Sequence, residues 1–151
     1  MASQDDHPTG RPTGVAPVTQ SGRSHSTQPS DPTDVTIVVC SSCRGPDASD
    51  ARPRPGEKLG RAAMAANDQP GVTVELIECL GNCRRRLSAA FVKAGAWSYV
   101  FGDLDIDNAG DLIEGARLLR DSDNELMPWR GRPQCLKTGL VARIPPLNLL
   151  E

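Results

Sequence analysis

Runs of apolar residues divide the chain after residue 33 into strands and helices. β-Branched runs bounded by turn residues predict strands. They lie at 34–40, 72–79, 88–94 and 97–104. Gly95 separates the last two runs, which indicates a hairpin. Within the final run, Trp97, Tyr99 and Phe101 alternate, so we expect these side chains to share one face and to pack in the core.

Apolar positions spaced three and four residues apart predict two helices. The first covers 56–67 and ends before Pro70 and Gly71. The second covers 107–121, and Asp107 is its expected N-cap. Its apolar stripe consists of Leu112, Ile113, Ala116 and Leu119. The order β-α-β-β-β-α predicts a single mixed α/β domain.

The two ends of the chain differ from this middle part. Residues 1–33 combine Pro, Ser, Thr and Gly without apolar periodicity, which predicts a disordered extension of unassigned role. No apolar stretch of the signal-peptide type follows a basic start, so we expect a cytoplasmic protein. Residues 122–151 are predicted as an extended segment that packs on the domain or on a second subunit.

Composition narrows the class of protein further. The 151 residues give room for one domain, and the formal net charge of -2 disfavours a basic nucleic-acid binder. No apolar run approaches the roughly 20 residues that span a bilayer, so no membrane insertion is expected. Both histidines, His7 and His25, lie in the N-terminal extension. The five cysteines are therefore the most reactive groups in the rest of the chain.

Four of the cysteines form two close pairs, each at the end of a predicted strand. Cys40 and Cys43 form C-x-x-C, and Cys79 and Cys83 form C-x-x-x-C. If the two strands are neighbours, their loops reach a common centre, and four thiolates suit either a [2Fe-2S] cluster or tetrahedral zinc. The alternative is a set of reduced core thiols. Cys135 lies outside this set and is expected to be a bystander.

The stretches VTIVVCSSC, ECLGNC, WSYVFGDLD, PWR and GLVARIPP carry a family resemblance. The chain resembles the thioredoxin-like [2Fe-2S] ferredoxins, and more closely a bacterial family of predicted metal-binding proteins. This resemblance implies a thioredoxin-like α/β fold, with a mixed sheet and flanking helices, as the metal-binding domain at 34–121. It also implies a homodimer and electron transfer to a redox partner protein rather than an enzymatic reaction.

Position by position, the resemblance implies Cys40, Cys43, Cys79 and Cys83 as cluster ligands. Thioredoxin-like ferredoxins usually separate the first two ligands by more than two residues, so a non-redox zinc protein for structure, metal delivery or sensing stays open. A thiol-disulfide oxidoreductase is a minor alternative. It is disfavoured because the C-x-x-C motif is not followed by a helix, whose N-terminus would lower the thiol pKa.

Three consecutive arginines, Arg84, Arg85 and Arg86, follow Cys83 directly. Next to a negatively charged cluster they would stabilise its reduced form, or they would form the docking face for an acidic redox partner. An ordinary solvated basic patch is the competing interpretation.

Overall fold

A five-stranded mixed sheet, covered on one face by two helices, forms the framework of residues 31–151, which are the residues that the computed structural model describes. The strands are β1 (Val35–Cys40), β2 (Val72–Ile77), β3 (Leu87–Lys93), β4 (Ser98–Leu104) and β5 (Leu140–Ile144). The helices are α1 (Pro55–Ala66), α2 (Ala109–Arg120) and α3 (Gln134–Thr138). The predicted extension lies outside the described residues, except for a turn at 31–33 before β1.

The strand order is β2-β1-β3-β4-β5, and only β1 and β2 run parallel. Parallel neighbours need a crossover connection, and α1 provides it. Both α1 and α2 pack on β1 and on each other, so they cover the same face of the sheet. Since β1 and β2 are parallel, both end at the same edge of the sheet. The mixed α/β class and the predicted order of the first six elements are confirmed.

Aromatic packing in the core follows the predicted alternation only in part. Tyr99 and Phe101 are fully buried, and Phe101 meets Phe91 edge to face with 5.2 Å between the ring centroids. Trp97 is only partly buried, and the Arg143 guanidinium lies 4.8 Å from its ring centroid.

The N-terminal cap of α2 differs from the prediction. The Asp105 carboxylate accepts a hydrogen bond from the Ile106 N–H at 2.7 Å, and the Asn108 side chain accepts one from the Asp105 N–H at 2.8 Å. This capping box closes a short 3₁₀ turn that leads into α2, so the assignment of Asp107 as cap is wrong. Asp105, whose backbone is extended, caps this turn, and α2 itself begins after Asn108, whose side chain makes no capping hydrogen bond to α2. The predicted apolar stripe of α2 is buried as expected.

Residues 122–151 are not one extended segment. They contain α3 and β5, and β5 pairs antiparallel with β4 at the edge of the sheet. Leu136 of α3 is fully buried against α2. The segment thus belongs to the same packed domain as 34–121. Within the described part of the chain, none of the helices is both long and apolar enough to cross a membrane.

Candidate metal centre

The parallel pairing of β1 and β2 continues beyond both strands and aligns the two cysteine loops. The Ser41 N–H donates to the Ile77 carbonyl at 2.8 Å, and the Ser42 N–H donates to the Glu78 carbonyl at 3.2 Å. The C-x-x-C loop therefore leaves the sheet alongside the residues that lead into Cys79. The two strands are thus neighbours in the sheet, which is the condition for a centre shared by both cysteine pairs.

Cys40 and Cys43 lie in the interior and interact with each other. Their relative exposures are 1% and 4%. Burial, followed by the hydrogen bond and charge interaction with Cys40, raises the pKa of Cys43 to about 12. Burial alone would also raise the pKa of Cys40. Hydrogen bonds to its sulfur from Cys43, the backbone N–H of Leu80 and Ser42 outweigh burial and hold the pKa of Cys40 below its ordinary value. Of the two thiols, Cys40 is the first to ionise.

Cys79 and Cys83 are exposed on the loop that connects β2 to β3. The Gly81 N–H donates to the Cys79 sulfur at 3.2 Å. Gly81 has a φ of +74°, a backbone conformation that glycine adopts without the strain a Cβ would bring. Cys83 then begins a 3₁₀ turn, Cys83–Arg85. The loop thus supplies a backbone N–H that donates to the Cys79 sulfur, and such donors stabilise thiolate ligands.

The second loop approaches the first on one side. Cys43 and Cys83 line the same pocket, and charge on Cys83 is among the causes that raise the pKa of Cys43. Among residues 31–151, however, no three His, Cys, Asp or Glu side chains are already arranged to hold a metal ion. The structure therefore aligns the two predicted ligand loops, and the Cys79 sulfur accepts a hydrogen bond from Gly81.

The three consecutive arginines have different surroundings. Arg85 pairs with Asp103, with 2.7 Å between Nη2 and Oδ2, and Arg86 lies 3.4 Å from the Asp105 carboxylate. Arg84 makes no ion pair within the described residues, and both Arg84 and Arg86 line the pocket beside Cys83.

Two further arginines of the pocket, Arg44 and Arg54, were not singled out by the sequence. A signal for Arg44 exists, since it follows Cys43 as Arg84 follows Cys83. Arg54 lies eleven positions beyond Cys43 in a proline-rich loop, and only folding of that loop brings it to the site.

Cys135 has surroundings of its own. It lies on α3, is half-buried, and its thiol donates to Oδ2 of Asp111 at 3.4 Å. Burial and the negative charge of Asp111 raise its pKa to about 12. Its placement is consistent with the expected bystander role, which stays a prediction.

Comparison with curated proteins gave no match, and comparison with solved structures gave none either. The profile of one family, described as "Protein of unknown function (DUF1636)", matches residues 37–146. The matched stretch contains all five cysteines and runs from β1 through β5. The chain therefore belongs to the DUF1636 family.

Proposed function

We propose that this protein is a ferredoxin-like electron carrier in which Cys40, Cys43, Cys79 and Cys83 bind one [2Fe-2S] cluster. The observation that carries the proposal is the side-by-side exit of the two cysteine loops from the parallel pair β1 and β2. When bound, such a cluster supplies one-electron transfer between a diferric and a mixed-valence state. No substrate chemistry is assigned to the chain.

The arrangement of elements supports the thioredoxin-like part of the proposal. A β1-α1-β2 crossover unit precedes the antiparallel β3-β4 pair and α2, and both helices cover one face of the sheet. The resemblance predicts such a mixed sheet, with the ligand loops at the ends of the first two strands. β5 extends the sheet by one strand next to β4.

The four cysteine sulfurs differ in their exposure to solvent, and this difference suits a cluster that is buried on one side and open on the other. Burial of Cys40 and Cys43 excludes water from one side, whereas Cys79 and Cys83 face solvent, where a partner protein can approach. Backbone N–H donors to the sulfurs, such as the one from Gly81, stabilise thiolate ligands and tune a cluster's potential.

Binding of one cluster by all four cysteines requires their sulfurs to come closer together, since no three possible ligands among residues 31–151 are grouped around one point. Metal binding is commonly coupled to the ordering of its ligands, so the free energy of binding can drive this movement. Gly81, with its φ of +74°, favours this movement because glycine adopts more backbone conformations than other residues.

A zinc protein without redox activity is the second candidate. It is favoured by the two-residue spacing of Cys40 and Cys43, which is common among zinc ligands. Zinc has no redox chemistry, so reversible reduction of the bound metal separates the two candidates.

Serine variants of the exposed ligands test the proposal. After anaerobic cluster reconstitution, Cys83→Ser and Cys79→Ser are expected to lose most of the visible absorption and bound iron of the unmodified chain, because serine replaces a soft sulfur ligand. Cys135→Ser is the matched control and should retain both. Full iron content with an unchanged spectrum in either ligand variant would overturn the ligand assignment.

A further inference from the structure

A pocket of about 500 Å³ lies between the C-x-x-C loop and the turn that begins at Cys83. Apart from Cys43 and Cys83, its polar lining is dominated by four arginines: Arg44, Arg54, Arg84 and Arg86. None of the described residues that line it is acidic. The volume falls in the range of small-molecule sites.

The positive charge of the four arginines is only partly neutralised by nearby carboxylates. Asp50 is shared by Arg44, at 2.7 Å, and Arg54, at 3.2 Å. Asp105 lies 3.4 Å from Arg86, and Arg84 has no carboxylate partner among residues 31–151. Four guanidinium groups therefore share two carboxylates, and the pocket keeps an excess of positive charge.

Arg54 is fixed at the pocket by hydrogen bonds of its own. Its Nη1 donates to the Ser42 carbonyl at 3.0 Å, and its Nη2 donates to Asp50. Its Nε is buried and has no hydrogen-bond partner among the described residues.

We propose that this pocket binds a small anion with at least two negative charges, presented by phosphate or carboxylate oxygens. The planar guanidinium fork matches both groups, because it donates two parallel hydrogen bonds to paired oxygens. The concave shape favours a small molecule over the flat surface of a protein. The inference goes beyond the proposed electron transfer, since it depends on the arginines; because Cys43 and Cys83 line the same pocket, the anion is expected to bind the metal-free chain more tightly than the cluster-loaded chain.

Isothermal titration of the full-length chain tests the proposal with two probes, pyrophosphate and citrate, at constant ionic strength. Saturable binding of one molecule per chain is expected for at least one probe. The stronger probe identifies phosphate or carboxylate as the preferred group. Metal is assayed on the same sample, so a failure of anion binding is read separately from a failure of the iron–sulfur assignment.

The Arg84→Gln variant gives the residue-level test. Loss of one charge-assisted hydrogen-bonding group is expected to weaken binding roughly tenfold. Arg130→Gln is the matched control, since Arg130 is an exposed arginine on the loop before α3 and should leave the affinity unchanged. The proposal is overturned if neither probe binds saturably at millimolar concentration. It is also overturned if the Arg84→Gln variant binds the probe as tightly as the unmodified chain. The same holds if the double variant, Arg84→Gln with Arg44→Gln, binds it as tightly.

Discussion

At the scale of single residues, the five cysteines differ far more than their sequence positions indicate. Cys40 and Cys43 are buried, Cys79 and Cys83 are exposed, and Cys135 is half-buried against a carboxylate. The spacing of the two pairs predicts a shared centre, and it carries no information on exposure. The first loop is covered by the start of α1, where the Gly56 N–H donates to the Cys43 carbonyl at 3.1 Å, whereas Cys79 and Cys83 are exposed.

Cys135 is expected to react slowly with alkylating reagents. Its pKa of about 12 lies far above pH 8, so almost none of its thiolate, which is the reactive form, is present there. Iodoacetamide labelling of the metal-free chain, followed by peptide mass spectrometry, should modify exposed Cys79 well before Cys135. Asp111→Asn removes the charge that opposes ionisation and should accelerate labelling of Cys135. Equal rates at Cys79 and Cys135 in the unmodified chain would contradict this assignment.

Arg84 is expected to tune the proposed cluster more than Arg85 does. Arg84 has no carboxylate partner within the described residues, whereas the charge of Arg85 is offset by Asp103. Removal of an uncompensated positive charge destabilises the reduced, more negative cluster and lowers its potential. Potentiometric titration followed by visible absorption should therefore show a larger negative shift for Arg84→Gln than for Arg85→Gln. A larger shift for Arg85→Gln would show that the ion pair does not offset its charge.

At the scale of elements, the long periodic segments were predictable from the sequence and the short ones were not. The stripe of α2 and the β-branched runs of β1 and β2 repeat over enough residues to identify helix and strand. In contrast, α3 and β5 have five residues each and depend on packing against α2 and pairing with β4. The cap at Asp105 was missed because Asp103, Asp105 and Asp107 offer the same side chain at alternate positions.

The close approach of α3 to α2 depends on Gly115. A Cβ at this position would lie 2.3 Å from Cδ1 of Leu136 and 2.9 Å from Cε2 of Phe91. Gly115→Ala is therefore expected to lower the free energy of unfolding by about 1–3 kcal/mol, because overpacking exceeds the gain in helix propensity. Urea denaturation followed by circular dichroism measures this change.

Gly110 of the same helix is the matched control for Gly115. No atom of residues 31–151 lies within 4 Å of the position that its Cβ would take. Gly110→Ala should leave stability unchanged or raise it by up to about 1 kcal/mol. If Gly115→Ala proved as stable as Gly110→Ala, the packing of α3 on α2 would be looser than the structure indicates.

At the scale of the whole molecule, the sheet aligns the cysteine loops and leaves β5 as an exposed edge strand. Ile144 and Leu147, at and just beyond its end, are 54% and 80% exposed. The homodimer implied by the resemblance stays a prediction. Light scattering on the purified chain should give about twice 16.1 kDa, and a mass of one chain at micromolar concentration would contradict it.

Only the positions of the cysteine loops in the candidate metal centre depend on chain topology alone. The sequence places each cysteine pair at the end of a strand, and the parallel pairing of β1 with β2, seen in the structure, brings the two loops to the same edge of the sheet. The arginine-lined pocket was not predictable, because Arg54 reaches it only through the fold of a proline-rich loop. The identity of the metal is likewise not determined by the fold, since the same four thiolates suit iron–sulfur and zinc.

Metal and sulfide analysis of anaerobically purified protein, with a visible spectrum of the same sample, tests the central claim most directly. We expect two irons and two acid-labile sulfides per chain, and brown absorption that is bleached by dithionite. A colourless sample that contains one zinc per chain and takes up no cluster on reconstitution would contradict electron transfer and establish a zinc protein.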